Sequence, residues 1–455
     1  MKKRYILGIV CLLIFSACEE QLELKPLSSI TDNKFYETDE EIESAVLSVY
    51  SGLQVLTDEA WILEGLRDDN AYPSSLEGTY GFVDNFSDDE SSPFSASYWT
   101  SAYDVIARAN TVLKYVGNVT DDGLRSQLEG EAKFLRAYTY FKLVRLFGNV
   151  PLVLETIQYD DAEKFSNSTP SEIYTAIEAD LKDAISMLPE KYASSEAGRA
   201  TQFAAKGILA KVLITMGGKE VEAKQLLSDI IGSGQFSLMD NYKEVFESEQ
   251  NKEVIFAVRY AAQNGEHQTF SYTFSANGFF GGVRPSQELM DIYEDNDVRF
   301  EASAAYDEAK EKWIINKFNS LNTPEMSGVD WIALRYADIL LLYAELANEL
   351  SPMDAQATQY LNEIRERAGL APVTVASQAE LRDAIRDERR VELAFEGHRW
   401  FDLLRYGNAV NIMRTHLEGE GISALIEDYK LLYAIPRSEI LLSKGKLVQN
   451  PGYQQ

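Results

Sequence analysis

The sequence predicts a mainly α fold in which antiparallel helix pairs stack into a scaffold, with minor β-structure and one irregular, loop-rich face. Three observations carry this expectation. Apolar residues recur at helical spacing over most of the chain. Residues 201–231 and 331–368 each read as a helix pair, broken at Gly217-Gly218 and at Ser351-Pro352. Residues 57–97 and 233–330 lose that period and are rich in Gly, Pro and aromatic side chains. The pair lengths are near those of tetratricopeptide repeats, although the full repeat signature is missing.

The N-terminus comes first. Met1-Lys2-Lys3-Arg4 is cationic, Tyr5 to Phe15 is apolar, and Ser16-Ala17 precedes Cys18. Charged, apolar and then small residues are the layout of a secretory signal, here residues 1–17. The apolar run is shorter than the roughly 20 residues a membrane-spanning helix needs. Of the two cysteines, Cys11 lies inside the removed segment, so Cys18 is left alone at the mature N-terminus. Ser16-Ala17-Cys18 resembles a bacterial lipobox, with Phe15 where Leu is usual, which implies lipidation of Cys18. Residues 18–38 then read as a lipidated tether and 39–455 as one domain with loop-rich inserts near 57–97 and 233–330. The formal net charge is −29, and the predicted signal contributes only cations to it. Such a chain repels nucleic acid and anionic membrane surfaces. A neutral ligand, a cation or a basic partner suits it better.

Helices are expected at Asp39 to about Leu56, Trp99 to Val116 and Asp122 to Phe147, the last stopped by Gly148-Asn149-Val150-Pro151. Further helices are expected at Pro170–Leu188, with Pro at the first position, then Thr201–Met216, Lys219–Ile231, Trp331–Leu350 and Met353–Ala368. A final one should run from Gln378 to about Arg405. Glu253 to Tyr260 is β-like and rich in branched residues. Trp99, Trp331 and Trp400 fall at core-like positions.

Several segments in order resemble one family. Gly130-Glu131-Ala132-Lys133-Phe134-Leu135-Arg136-Ala137-Tyr138 continues to Leu146-Phe147-Gly148-Asn149-Val150-Pro151-Leu152. Gly198-Arg199-Ala200-Thr201 opens a helix. Arg335-Tyr336-Ala337-Asp338-Ile339-Leu340-Leu341, Asn362-Glu363-Ile364-Arg365-Glu366-Arg367-Ala368-Gly369-Leu370 and the charged run Glu388 to Leu403 follow. Ile435-Pro436 and Gln449-Asn450-Pro451-Gly452-Tyr453 close the pattern. Together, behind a lipobox, these resemble the SusD/RagB nutrient-binding lipoproteins of Bacteroidetes. Glu19-Glu20-Gln21 likewise resembles the surface-export signal of such lipoproteins. The resemblance implies a tetratricopeptide-like helical scaffold with an irregular ligand-binding face. It also implies an outer-membrane location, a SusC-like TonB-dependent transporter as partner, an oligosaccharide ligand (a peptide in the RagB branch), and no catalysis or cofactor. The chain is somewhat short for the family.

The run from Glu388 to Asp402 holds Glu392 and Glu396, four apart on one helix face, with His398 nearby. Paired carboxylates and a His could serve acid–base or metal chemistry. Arg389, Arg390 and Arg399 interleave them, and guanidiniums bind carboxylates bidentately. Ion pairs that lock helices together are therefore the expectation. The three histidines, His267, His398 and His416, are far apart, and no metal site is expected. The acidic loops at Asp84–Glu90 and Asp291–Asp297 lack EF-hand spacing.

A sugar offers apolar C–H faces and a rim of hydroxyls, which call for flat rings and planar polar groups in a loop-built concavity. Two segments have that mixture. The first gives Tyr72 and Tyr80 for stacking, with Arg67, Asp69 and Asn70 for hydrogen bonds. The second gives Phe279 and Phe280 for stacking, with Arg284 for hydrogen bonds. Three roles follow: an oligosaccharide-capturing lipoprotein, a peptide-capturing module of the same fold, and, less expected, a surface hydrolase with a carboxylate pair in its cleft.

Overall fold

A computed structural model describes residues 35–453 apart from 77, 158–164, 250, 264, 279–281, 319–325, 424 and 425. The predicted signal, Cys18, Phe279 and Phe280 lie outside the described residues.

Helices carry the structure. They are α1 (Asp39–Gly65), α2 (Thr79–Asp84), α3 (Pro93–Tyr115), α4 (Asp122–Phe147), α5 (Pro170–Met187), α6 (Gln202–Met216), α7 (Glu220–Gly232), α8 (Glu244–Glu247) and α9 (Phe270–Thr273). There follow α10 (Gln287–Ile292), α11 (Arg299–Ser303), α12 (Tyr336–Leu350), α13 (Ala355–Arg367), α14 (Gln378–Glu392), α15 (Arg399–Tyr406), α16 (Ala409–Gly419) and α17 (Arg437–Leu442). Their starts are written in the sequence. Thr38 and Glu41 form a capping box on α1, and Thr169 and Glu172 form one on α5, where Pro170 takes the first turn. Asp121, Thr201 and Ser377 accept from backbone N–H groups that would otherwise go unpaired at the starts of α4, α6 and α14.

Neighbouring long helices pack in sequence: α1 on α3, α3 on α4, α4 on α5, α5 on α6, α6 on α7, α7 on α12, and α12 on α13 and α14. This is the tetratricopeptide-like scaffold the pattern predicts. Gly130 shows why a small residue is needed there: a Cβ at that position would sit 2.9 Å from the Met187 Cβ of α5. One large core runs from Ile42 to Leu447, and a smaller cluster under α12–α14 gathers Leu340, Leu341, Leu361, Ile364, Leu381 and Ile385.

The strands form three short antiparallel ribbons. Strand β1 (Ala71–Pro73) pairs with β3 (Val283–Pro285), β2 (Val254–Val258) with β6 (Trp331–Arg335), and β4 (Ala304–Asp307) with β5 (Lys312–Ile315).

Three expectations need correction. The first helix does not stop near Leu56 but continues to Gly65, and α3 begins at Pro93, so the loop expected over 57–97 shrinks. The segment expected as one helix from Trp331 starts as strand β6; Arg335 is extended (φ −138°, ψ 163°) before α12 begins. The helix expected from Gln378 to Arg405 breaks after Glu392, because Phe395 and Gly397 adopt positive φ (67° and 73°). Gly tolerates that region freely; Phe does not. Trp99, Trp331 and Trp400 are buried, as expected.

Candidate ligand-binding face

The charged run at 388–402 lies at the centre of a buried ionic core. The Arg335 guanidinium meets Glu392 at 2.6 Å, Glu396 at 2.7 Å and Glu253 at 2.8 Å. Arg299 joins Asp297, Glu388 and Glu392, while Arg367 reaches Glu253 and Glu392. Asp338 receives Lys211 at 2.7 Å and Arg389 at 2.8 Å. Burial alone would push the Glu392 carboxyl up; the guanidiniums of Arg367, Arg335 and Arg299 outweigh it and hold it well below the usual range. Burial, aided by the charge of Lys211, drives the His398 imidazolium down to about 3, so this ring is neutral at physiological pH. The ion-pair expectation holds: Glu392 and Glu396 are committed to cations. Among the described residues no His, Cys, Asp and Glu cluster suits a metal ion.

Two arginines of the same run face the other way and grip the loop that precedes β1. Arg399 donates from Nε and Nη2 to the two Asp69 carboxylate oxygens at 2.7 and 2.8 Å. Arg390 donates to Asn70 Oδ1 and to the Asp69 carbonyl, both at 2.8 Å. Just past β3, Ser286 donates its backbone N–H to the Asn70 carbonyl (2.8 Å) and its hydroxyl to the Asp69 carbonyl (2.7 Å). Arg67 is 0% exposed; it pairs with Asp88 and its guanidinium lies 3.7 Å from the Tyr433 ring centroid. Side chains spent in this way present nothing to a ligand. Arg67, Asp69 and Asn70, expected as ligand donors and acceptors, instead fix the loop to the scaffold.

Tyr80 is corrected in the same sense. Its ring is buried, stacked on Phe94 at 5.2 Å and edge-on to Trp61 at 5.5 Å. Residues two apart on a helix point to nearly opposite sides. With Tyr80 turned inward, Phe82 is the exposed ring of α2, at 48%. The period shows that only one of the pair can face solvent; it does not say which.

What the grip presents is the β1–β3 ribbon. Tyr72 lies directly opposite Arg284, and both are half-buried. Arg284 donates Nε–H to the Ser74 hydroxyl at 2.7 Å. Helix α2 packs beside β1, and β5 packs against β3. The β4–β5 ribbon adds rings the sequence reading did not select: Trp313 lies opposite Tyr306, with centroids 5.5 Å apart, and rests on Phe300 at 5.6 Å. Tyr306 is 42% exposed. Alternation along Lys312-Trp313 was the available signal, but a ribbon this short gives too few residues to read it.

Beneath the ribbon, Asp68 is buried and accepts from the Asn70 N–H at 2.8 Å. Burial, then the neighbouring Asp69 charge, pushes its carboxyl up to about 8. Asp84 is raised as well, by burial and by the charges of Glu420 and Asp68. An acid ionised near 4 when unfolded but near 8 when folded keeps its proton only in the native state between those values. Folding stability therefore falls as pH rises through that window, by up to about 1.4 kcal/mol per pH unit. Asp68→Asn removes this titration. The gap between urea midpoints at pH 5 and pH 8 should narrow in the variant; an unchanged gap would mean that Asp68 is ionised in the native protein.

Hollows of about 780, 510 and 490 Å³ lie elsewhere; all three are lined by Arg259, and none by Tyr72, Arg284 or Trp313.

Comparison with known proteins agrees with this architecture. Residues 301–453 match the model of the SusD family, and residues 21–214 match a family described as starch-binding and associating with the outer membrane. A SusD-like protein of Formosa agariphila is 28% identical over 517 aligned positions, covering 100% of both chains. One of Bacteroides ovatus is 26% identical over 94% of this chain and 88% of its own. Among solved structures, a laminarin-binding SusD-like protein superposes with a TM-score of 0.77 at 27% identity, covering 92% of this chain and 100% of that one. Surface glycan-binding protein A from Bacteroides fluxus gives 0.81 at 25%, covering 91% and 99%. The scaffold, the motifs spread along it and these matches agree: the chain belongs to the SusD/RagB family.

Proposed function

We propose that this protein is a lipid-anchored binding protein of the outer-membrane surface that captures oligosaccharides and passes them, uncut, to a TonB-dependent transporter. The observation that carries the reading is the ribbon face. Tyr72 and Arg284 face each other on strands held, through Asp69 and Asn70, by the half-buried Arg390 and Arg399 rather than on a free loop; Phe82 on the adjacent α2 and Tyr306 and Trp313 on the neighbouring β4–β5 ribbon add further rings. Flat rings match the C–H face of a pyranose, and a fixed support spares the ordering cost of binding. Two structurally similar proteins are described as laminarin-binding and as glycan-binding, which supports the same ligand class here. Cys18 is the proposed lipid attachment point, and the family resemblance supports the transporter as recipient.

Hydrolysis finds little support in the geometry. Glycosidases place two carboxyl groups about 5–10 Å apart around an accessible bond. Here Asp68 and Asp84 are buried under the ribbon at 2% and 1% exposure, and Glu392 and Glu396 are ion-paired. The test is a titration of the protein against a glycan panel and a peptide panel, followed by chromatography of the recovered ligands. Saturable binding of an oligosaccharide recovered intact is expected. Binding confined to peptides, or the appearance of shorter sugars, would overturn the reading.

A further inference from the structure

We infer that the sugar held by this face is anionic: an oligosaccharide bearing carboxylate or sulfate groups, gripped by Arg284 and Lys312 beside the Tyr72 ring. This deepens the oligosaccharide reading above and rests on it.

The protein is strongly acidic, with 72 Asp and Glu against 43 Lys and Arg. Its buried arginines are spent on carboxylates, as Arg299, Arg335 and Arg389 show. The ribbon face departs from that habit. Strand β3 packs on β5, which brings Arg284 and Lys312 to one surface. Arg284 is half-buried, its Nε is held by Ser74, and among the described residues neither Arg284, Lys310 nor Lys312 forms an ion pair. Of the nearby acids, Asp307 lies opposite Lys312 in the β4–β5 ribbon. Asp307 accepts the backbone N–H of Lys310 at 3.0 Å in the hairpin turn. Glu308 and Glu311 are exposed at its tip, and Glu420 is exposed on the side of Tyr72.

The cations act on one another. Burial, then the charges of Arg284 and Lys310, lowers the Lys312 ammonium. Asp307, opposite Lys312, offsets this only in part, and a bound anion relieves the repulsion that remains. The free fork of a guanidinium matches the paired oxygens of a carboxylate or a sulfate ester. A neutral glucan would leave this cationic pair unused.

Calorimetry with three oligosaccharide sets of equal length tests this: neutral laminari-oligosaccharides, oligogalacturonides and sulfated carrageenan oligosaccharides. One of the two charged sets should bind at least about tenfold more tightly than the neutral one, and weaken as salt is raised. Lys312→Gln should cost about tenfold for the charged sugar and leave neutral binding within about twofold, whereas Arg284→Gln should weaken both sugars and the charged one by at least about tenfold. The uronate and sulfate arms separate the two sources of charge. Preference for the neutral set, or charged binding untouched by either variant, would overturn the inference while leaving oligosaccharide capture intact. No binding in any set, with the protein folded, would remove both.

Discussion

Replacing Arg335 with Met should lower stability by about 3–5 kcal/mol, the cost of leaving a buried ion network without its central cation. The side chain is fully buried, donates to Glu253, Glu392 and Glu396, and reaches the Glu392 carbonyl at 2.7 Å. Removing it takes one cation from each of three buried carboxylates, leaving them only Arg299, Arg367 and Lys317. A lysine keeps the charge but not the planar fork, so Arg335→Lys should restore less than half of the loss. Denaturant midpoints for the two variants measure this. The network joins β6 to the segment after α14, and through Arg299 to α11, the short helix before β4. A small effect would mean that apolar packing alone holds these elements together.

The second large effect concerns binding rather than folding. Asp69→Ala should weaken the bound oligosaccharide by roughly tenfold or more, although the Asp69 side chain is buried and touches no ligand. The substitution frees Arg399 from both its bonds and removes one partner of Arg390, so the loop entering β1 loses its fixed position. Amide exchange over residues 69–75 should accelerate along with the loss of affinity. Full affinity with faster exchange would show that the ribbon does not need to be held in place before it binds.

Much of the scaffold was legible because its signals are local. Helix caps such as Thr38 with Glu41 and Thr169 with Glu172, the stop at Gly148, and the period of α4 all act within a few residues. The missed boundaries were set by distant partners. Trp331–Arg335 is apolar and runs without a breaker into α12, yet pairing with β2 makes it a strand. Phe395 is forced to positive φ where the chain turns to place Glu396 against Arg335 and Lys317.

The ligand face was legible as a region and not residue by residue. Arg67-Asp68-Asp69-Asn70 reads as a polar loop ready for hydroxyls. Its partners Arg390 and Arg399 lie more than three hundred residues away, and a linear reading does not connect them. Tyr72 and Arg284 stand out of the same two segments because strand alternation turns them away from that buried layer. Tyr306 was not selected and Trp313 was left undecided, because their short hairpin carries little pattern of its own.

The account turns on where the sugar sits. A crystal structure of the protein with the tightest-binding oligosaccharide of the panel tests this directly. A ring of that sugar should lie against Tyr72, with an oxygen on Arg284. A sugar lodged instead in the hollows around Arg199 and Arg259, with the β1–β3 ribbon bare, would contradict it.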